Sequence, residues 1–303
     1  MESEPMSRFL EKLSEKKVLV SDGAWGTMLQ QAGLQTGACP EIWNLTHPDL
    51  VQAVAAAYVS AGSDIVETNS FGGTSIKLKH YGLEAKAFDL NYEAVQLSRN
   101  AAGSDVLVMA SMGPTGKFLF MDEVTEDDLY DAFREQATAF DEAGADAVII
   151  ETFYDVQEAL LAIRAVKENT LLPCVCSFTY QLSPEGAYTT MMGSSPASVT
   201  ASLLDAGADV IGTNCGNGFE GMLNLVSEIE ACSMGKPLLM QANAGLPIVT
   251  DGKMVYTETP EYAANLTKQF LSRGVSIIGG CCGTTPDHIA AIRRVTDAWL
   301  SHK

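Results

Sequence analysis

The stretch AFDEAGADAVIIETF, at 139–153, contains the unit that decides the fold. It opens on a helical pattern and breaks at Gly144, where a helix C-terminus calls for left-handed backbone. It then enters Ala-Val-Ile-Ile, an apolar run suited to a strand buried on both faces. Three further segments repeat the unit: AYVSAGSDIVETNS (57–70), SLLDAGADVIGTNCG (202–216) and QFLSRGVSIIGGCCG (269–283), with Gly62, Gly207 and Gly274 at the break. Between the copies lie four more apolar runs, KVLVSDG (17–23), VLVMASMG (106–113), CVCSFTY (174–180) and LLMQANAG (238–245). Interleaved, the two sets give eight strands separated by helical patterns. Ser195-Pro196, Thr259-Pro260 and Thr285-Pro286 mark helix starts, an N-cap followed by proline in the first turn. This alternation predicts an α/β protein built as a single closed (β/α)8 TIM barrel. A doubly wound open sheet is the competing arrangement; even strand spacing and the lack of G-x-G-x-x-G after any strand count against it. No Pro-, Ser- or charge-rich linker divides the chain, so 1–303 reads as one domain.

Composition narrows the function classes. Hydrophobic residues make up 47% of the 303, enough for a large core. Nineteen Lys and Arg against 38 Asp and Glu leave a net charge of −19, which repels phosphate backbones and anionic lipid. No nucleic-acid or membrane partner is expected. Residues 1–17 are charged and amphipathic, without a signal-type apolar run. Stretches such as 147–150 are strand-sized, far below the roughly 20 residues of a membrane helix. A cytoplasmic location is expected. Seven cysteines, an odd number, argue for free thiols or metal ligands over a disulfide framework.

In such barrels the active site gathers at the C-terminal strand ends. Those ends carry Asp22, Glu67 with Asn69, Glu151, Asn214 with Cys215, Asn243, and Cys281 with Cys282. Cys215 closes the sixth strand and Cys281–Cys282 the eighth, with one strand between, so the three thiols can converge. Three thiolates suit Zn²⁺, and three protein ligands with an open fourth position describe a catalytic zinc. Adjacent strand residues point to opposite faces, so both vicinal thiols reach one ion only where the strand turns irregular; Gly279, Gly280 and Gly283 permit that. A lone cysteine is more often a small buried hydrophobe, and Cys174, Cys176 and Cys232 are read that way. Cys39 lies in the loop after the first strand, on the active side. None of the four histidines (His47, His80, His288, His302) ends a strand, and His288 reads as a first-turn helix residue. Asp22 and Glu151 are candidates for pairing with a substrate ammonium, against a rival reading as helix N-caps or structural carboxylates for the following loops. Glu67 is evenly balanced between site and structure, and Trp25 and Phe71 are candidate pocket walls.

DGAWGT (22–27), IIET (149–152), GTNCG (212–216), NAGLP (243–247) and GGCCGTTPDHI (279–289) together resemble the homocysteine S-methyltransferase family. The likeness is strongest to the homocysteine-binding barrel of cobalamin-dependent methionine synthases. It covers nearly the whole chain. The resemblance implies a barrel in which Cys215, Cys281 and Cys282 bind Zn²⁺ and homocysteine sulfur takes the open position. It implies that Asp22, with Gly23 and Ala24 of the same motif, and Glu151 hold the amino acid. It also makes Asn243 a candidate fourth ligand when substrate is absent.

The resemblance stops short of the methyl donor. No D-x-H-x-x-G corrinoid-ligating motif occurs, and the sequence ends soon after the eighth helical pattern. Unless the chain is one part of a longer protein, the methyl group is expected from methylcobalamin on a separate corrinoid protein. The alternatives are a small betaine or sulfonium donor, or a non-catalytic zinc-barrel subunit of a methyl-transfer complex. All-cysteine ligation and the lack of a strand-end histidine disfavour a zinc hydrolase. Methyl transfer to a pre-formed thiolate needs no general base.

Overall fold

In the computed structural model, which describes residues 6–250 and 253–302, the four break glycines adopt the backbone that the repeat requires. Gly62, Gly144, Gly207 and Gly274 have φ of 95°, 80°, 81° and 79°, where a side chain would be strained. The first five residues of the amphipathic opening, together with 251–252 and Lys303, lie outside the described residues.

Eight parallel strands form the barrel: β1 (Leu19–Val20), β2 (Ile65–Val66), β3 (Leu107–Met112), β4 (Ala147–Phe153), β5 (Cys174–Phe178), β6 (Val210–Gly218), β7 (Leu238–Asn243) and β8 (Val275–Gly280). Their order in the sheet is β1-β8-β7-β6-β5-β4-β3-β2. Each is followed by an outer helix: α1 (Pro48–Ser60), α2 (Ala87–Ala102), α3 (Glu126–Glu142), α4 (Val156–Asn169), α5 (Pro196–Asp205), α6 (Phe219–Cys232), α7 (Pro260–Ser272) and α8 (Pro286–Leu300). The three Ser/Thr-Pro signals all begin helices, with Ser195, Thr259 and Thr285 at the N-cap. The expected (β/α)8 barrel is therefore the architecture found, and the open doubly wound sheet is not.

The aspartate of the repeat explains how neighbouring strands stay in register. Asp146 donates its N–H to Val108 O, and its carboxylate accepts the Val108 N–H at 2.8 Å. Asp209 clips Cys174 in the same way, and Asp64 clips Val20. The Asp64 clip carries particular weight because β1 and β2 are the two ends of the strand order, and it joins them. The fourth copy has Val275-Ser276 in place of an aspartate.

Period-two alternation then sorts the strand side chains. Leu19, Ile65, Leu107, Met109, Ala147, Ile149, Val175, Val210, Leu239 and Ile277 fill the lower interior, where Phe9 and Leu13 of an N-terminal helix (Arg8–Lys16) plug the barrel. The intervening residues, including Cys174 and Cys176, face the outer helices and are fully buried. Both cysteines are thus the packing residues they were expected to be. Cys232, at the end of α6, is only half-buried.

Candidate metal and ligand site

Two residues beyond each lower-interior position, the same alternation brings polar groups inward. Ser21, Glu67, Ser111, Glu151, Ser177 and Gln241 make a buried polar tier above the apolar one. Above that tier opens a cavity of about 390 Å³ at the C-terminal mouth. Its walls include Gly23, Ala24, Trp25, Glu67, Phe71 and Glu151, and Cys215, Cys281 and Cys282 stand at one side.

The three thiols do converge. Their sulfurs all lie within 4.8 Å of one another, and Cys215 Sγ is 3.9 Å from Cys282 Sγ. No other group of three or more His, Cys, Asp or Glu among the described residues gathers in this way. The backbone irregularity that this requires is real. Cys215 sits inside β6 at φ 58°, and β8 stops at Gly280, one residue before the vicinal pair. Gly283, at φ 79°, completes the turn, and a side chain there would collide with the Tyr256 ring. The Tyr256 hydroxyl hydrogen-bonds Cys282 in turn. Hydrogen bonds from Cys281 and Cys282 pull the Cys215 thiol down to about 3, and the same contacts hold the Cys281 and Cys282 thiols up. Asn243 hydrogen-bonds Cys215 through its side chain, and its Oδ1 is buried without a partner. Three soft donors at metal-like spacing beside an unpartnered carbonyl oxygen suit a bound metal ion.

Next to the sulfurs lie three buried carboxyl groups. Asp22 Oδ2 accepts from Trp25 Nε1 and Glu67 N, both at 2.8 Å, whereas Oδ1 has no partner. Glu151 accepts from Ser111 Oγ at 2.5 Å and from Asn214 Nδ2 at 3.1 Å. Burial raises Asp22 and Glu151 to about 7, and it lifts Glu67 well above the carboxylate range with help from Glu151 and Asp22. No Lys, Arg or His among the described residues lines the cavity. The pocket is therefore acidic, desolvated and without a cation, a form that fits a ligand bringing its own positive charge.

The N-cap alternative for the two acidic candidates does not hold. Ala24 caps the helix Trp25–Gln31, and Asp155 caps α4. Gly23 and Ala24 line the cavity, although the Ala24 N–H is taken by Thr284 Oγ1 at 3.2 Å. Trp25 and Phe71 both form wall. Asn69 lines the cavity too, yet its amide is spent on Pro40 O and Asn44 Oδ1. Cys39 stays outside the lining and donates to Glu41 Oε2 at 3.1 Å. His288 is confirmed as a helix-start residue: Nδ1 accepts from Thr285 N, and Nε2 meets Glu258 O. Sequence reasoning missed Gln241, Ser111 and Tyr256. Strand parity from Leu239 and Met109 would have turned the first two inward, whereas no sequence signal marks Tyr256.

The family model described as homocysteine S-methyltransferase matches residues 19–296. The methionine synthase of Mycobacterium leprae is 32% identical over 95% of this chain, and that of Mycobacterium tuberculosis is 31% identical over 93%. The chain spans about 25% of the length of each. Among solved structures, the metallated form of the homocysteine methyltransferase MmuM from Escherichia coli superposes with a TM-score of 0.77 at 24% identity, covering 95% of this chain and 98% of that one. A methyltransferase from Methanosarcina mazei gives 0.61 at 12% identity, covering 97% and 99%. At these identities the two structures show a shared fold.

Proposed function

From the premise that the chain belongs to the homocysteine S-methyltransferase family, we propose that it is a zinc-dependent enzyme, one homocysteine-binding barrel domain, that methylates homocysteine to methionine. The observation that carries the reading is the three-thiol cluster at the edge of an acidic cavity without cations. Tetrahedral zinc with Zn–S bonds of about 2.3 Å sets its sulfurs about 3.8 Å apart. The Cys215–Cys282 separation of 3.9 Å matches that spacing. Cys215, Cys281 and Cys282 would hold the ion, with the unpartnered Asn243 Oδ1 nearby as a fourth ligand in the free enzyme. An ion held there would supply the Lewis acidity that favours the thiolate form of a bound thiol at neutral pH.

The remaining work falls to side chains. Asp22 and Glu151 bind the substrate ammonium, a charge-assisted contact strengthened by their burial. The Gly23–Ala24 turn meets the substrate carboxylate at the start of the helix Trp25–Gln31, which has no side-chain cap. Trp25, tethered to Asp22, closes the wall and excludes water. Thiolate attack on a methyl group transfers no proton at that step, which agrees with a cavity lined by no histidine or lysine.

For the donor, we favour methylcobalamin carried by a corrinoid protein in trans over a small betaine or sulfonium compound. Loops after β2, β3, β5 and β7 expose large apolar side chains around the mouth, among them Phe120, Met121, Met191, Leu246, Val249 and Met254. A diffusible donor needs only the cavity, whereas an apolar rim suits a docked protein face. No helix among the described residues is long and apolar enough to cross a membrane. The test combines zinc analysis with turnover of L-homocysteine against methylcobalamin, glycine betaine and a sulfonium donor. Methionine formed from methylcobalamin alone is expected. Formation from a small donor instead would reverse the donor assignment. Bound zinc with no methionine from any donor would leave the non-catalytic subunit as the better reading.

A further inference from the structure

Besides Glu41, whose carboxylate is taken by Cys39 Sγ and Gly72 N, the acidic residue of the cavity wall to which the reading above gives no task is Glu67. It stands two residues after Ile65, whose side chain lies in the barrel interior, so strand alternation turns Glu67 into the same space. Its surroundings fix it firmly. Oε1 accepts from Gln241 Nε2 at 2.6 Å, and that amide also reaches Ser21 Oγ at 3.2 Å. The Glu67 N–H is held by Asp22 Oδ2, and its carbonyl accepts from Ser98 Oγ at 2.7 Å. Its carboxyl group lies close enough to those of Glu151 and Asp22 for their charges to repel. Two carboxyl groups in such contact need positive charge between them, either a proton or a bound cation.

The kind of cation follows from the geometry. The acidic groups do not form a metal cage, because the cysteines are the only set of three or more ligand atoms converging within 4.8 Å among the described residues. An ammonium asks for less, three acceptors for its three N–H bonds. Glu67 and Glu151 supply two, and Asp22 Oδ1, buried beside Glu67 without a partner, supplies the third.

We propose that Glu67, positioned by Gln241, binds substrate together with Glu151 as a clamp for the α-ammonium, and so makes the site selective for thiols that carry that charge. The inference rests on the thiol-methyltransfer reading. In a purely structural role Glu67 would only brace Glu151 and Asp22, and its loss would weaken every ligand alike.

The experiment measures binding of L-homocysteine and of 4-sulfanylbutanoate, the same thiol acid without the amino group, to zinc-loaded protein by calorimetry. Wild type is expected to prefer homocysteine by at least about tenfold, the worth of one charge-assisted contact. Glu67→Gln should erase most of that preference while leaving zinc content and 4-sulfanylbutanoate affinity unchanged. Glu67→Asp keeps the charge but withdraws it by one methylene, so an intermediate preference is expected, and it provides an independent measurement should the glutamine variant fold poorly. Gln241→Met should lower the preference in part, through the freed Glu67 side chain. Full preference retained in the Glu67 variants, or equal weakening of both thiols, overturns the proposal. Wild-type protein that holds zinc but binds neither thiol would instead bring down the thiol-transfer reading, and this inference with it.

Discussion

The two ends of the barrel treat the same residue type in opposite ways. At the bottom, Asp64 is paired with Lys16 and Arg293, Asp146 with Arg8 and Arg99, and Asp209 with Lys167, and each also accepts a backbone N–H from a neighbouring strand. At the mouth, Asp22, Glu67 and Glu151 are buried, no Lys, Arg or His among the described residues lines the cavity, and Asp22 Oδ1 has no partner at all. Burial of a charge is costly unless the charge is matched. The lower carboxylates are matched by the fold itself, so they contribute to stability. The upper ones have no match within the described fold, so they detract from stability. The contrast separates, within one chain, acids paired by the fold from acids left without a cation.

The largest effect should come from the sulfurs beside the upper acids. Cys215→Ser removes the one thiol that its neighbours hold ionised. Metal affinity, read by competition with a chromogenic chelator, should fall by more than about a hundredfold, the upper figure for losing an outer hydrogen-bond partner of a ligand. Unchanged zinc content and unchanged turnover would sink the metal assignment.

A paired substitution then tests the two ends against each other. Asp146→Ala strips the clip from Val108 and leaves Arg8 and Arg99 without their acid. A loss of about 3 kcal/mol is expected, seen as a Tm lower by roughly 6 °C or more, with ligand affinity of the folded protein intact. Glu151→Gln should do the reverse. Affinity for homocysteine drops by about tenfold or more, while Tm holds or rises because a neutral amide replaces a buried acid lacking a cation. Matching Tm losses in both variants would erase the distinction.

The smallest effect is a pH dependence, and its sign follows from Asp22 and Glu151 standing at about 7, above their ordinary values. A carboxyl whose folded pKa is raised contributes stability fully present below its unfolded pKa and lost as pH rises through the folded one. The ligand-free protein should therefore lose Tm as pH rises from about 4 to about 7. Ligand binding runs the other way, since an ammonium prefers the ionised acids. L-methionine, which has no thiol to titrate, should bind more weakly as pH drops below about 7, by up to about tenfold per unit for each proton that must leave. A flat affinity across that range would remove the upper acids from ammonium binding.

Much of this was legible in the residues themselves. The repeat around Gly62, Gly144, Gly207 and Gly274 dictates a helix stop followed by a buried strand, because glycine alone takes that backbone without strain. Alternation along those strands is equally local. It sends Cys174 and Cys176 outward to the helices and Glu151 inward, and it would have sent Gln241 and Glu67 inward had parity been followed through. The composition and the strand-end cysteines likewise pointed to one acidic barrel with a thiol site.

Tertiary structure decided what depends on distance across the barrel. That Cys215 stands within 4.8 Å of Cys281 and Cys282 follows from closure of the strand ring and from left-handed backbone at Cys215, neither of which sequence spacing fixes. That Asp64, Asp146 and Asp209 meet cations while Asp22, Glu67 and Glu151 meet none is also a tertiary fact, since the partners lie far apart in the chain. Sequence determines which face a side chain takes, because the backbone period is local. Whether a buried charge finds its partner is settled only when the ring closes, and in this protein that decides which acids stabilise and which remain for a ligand.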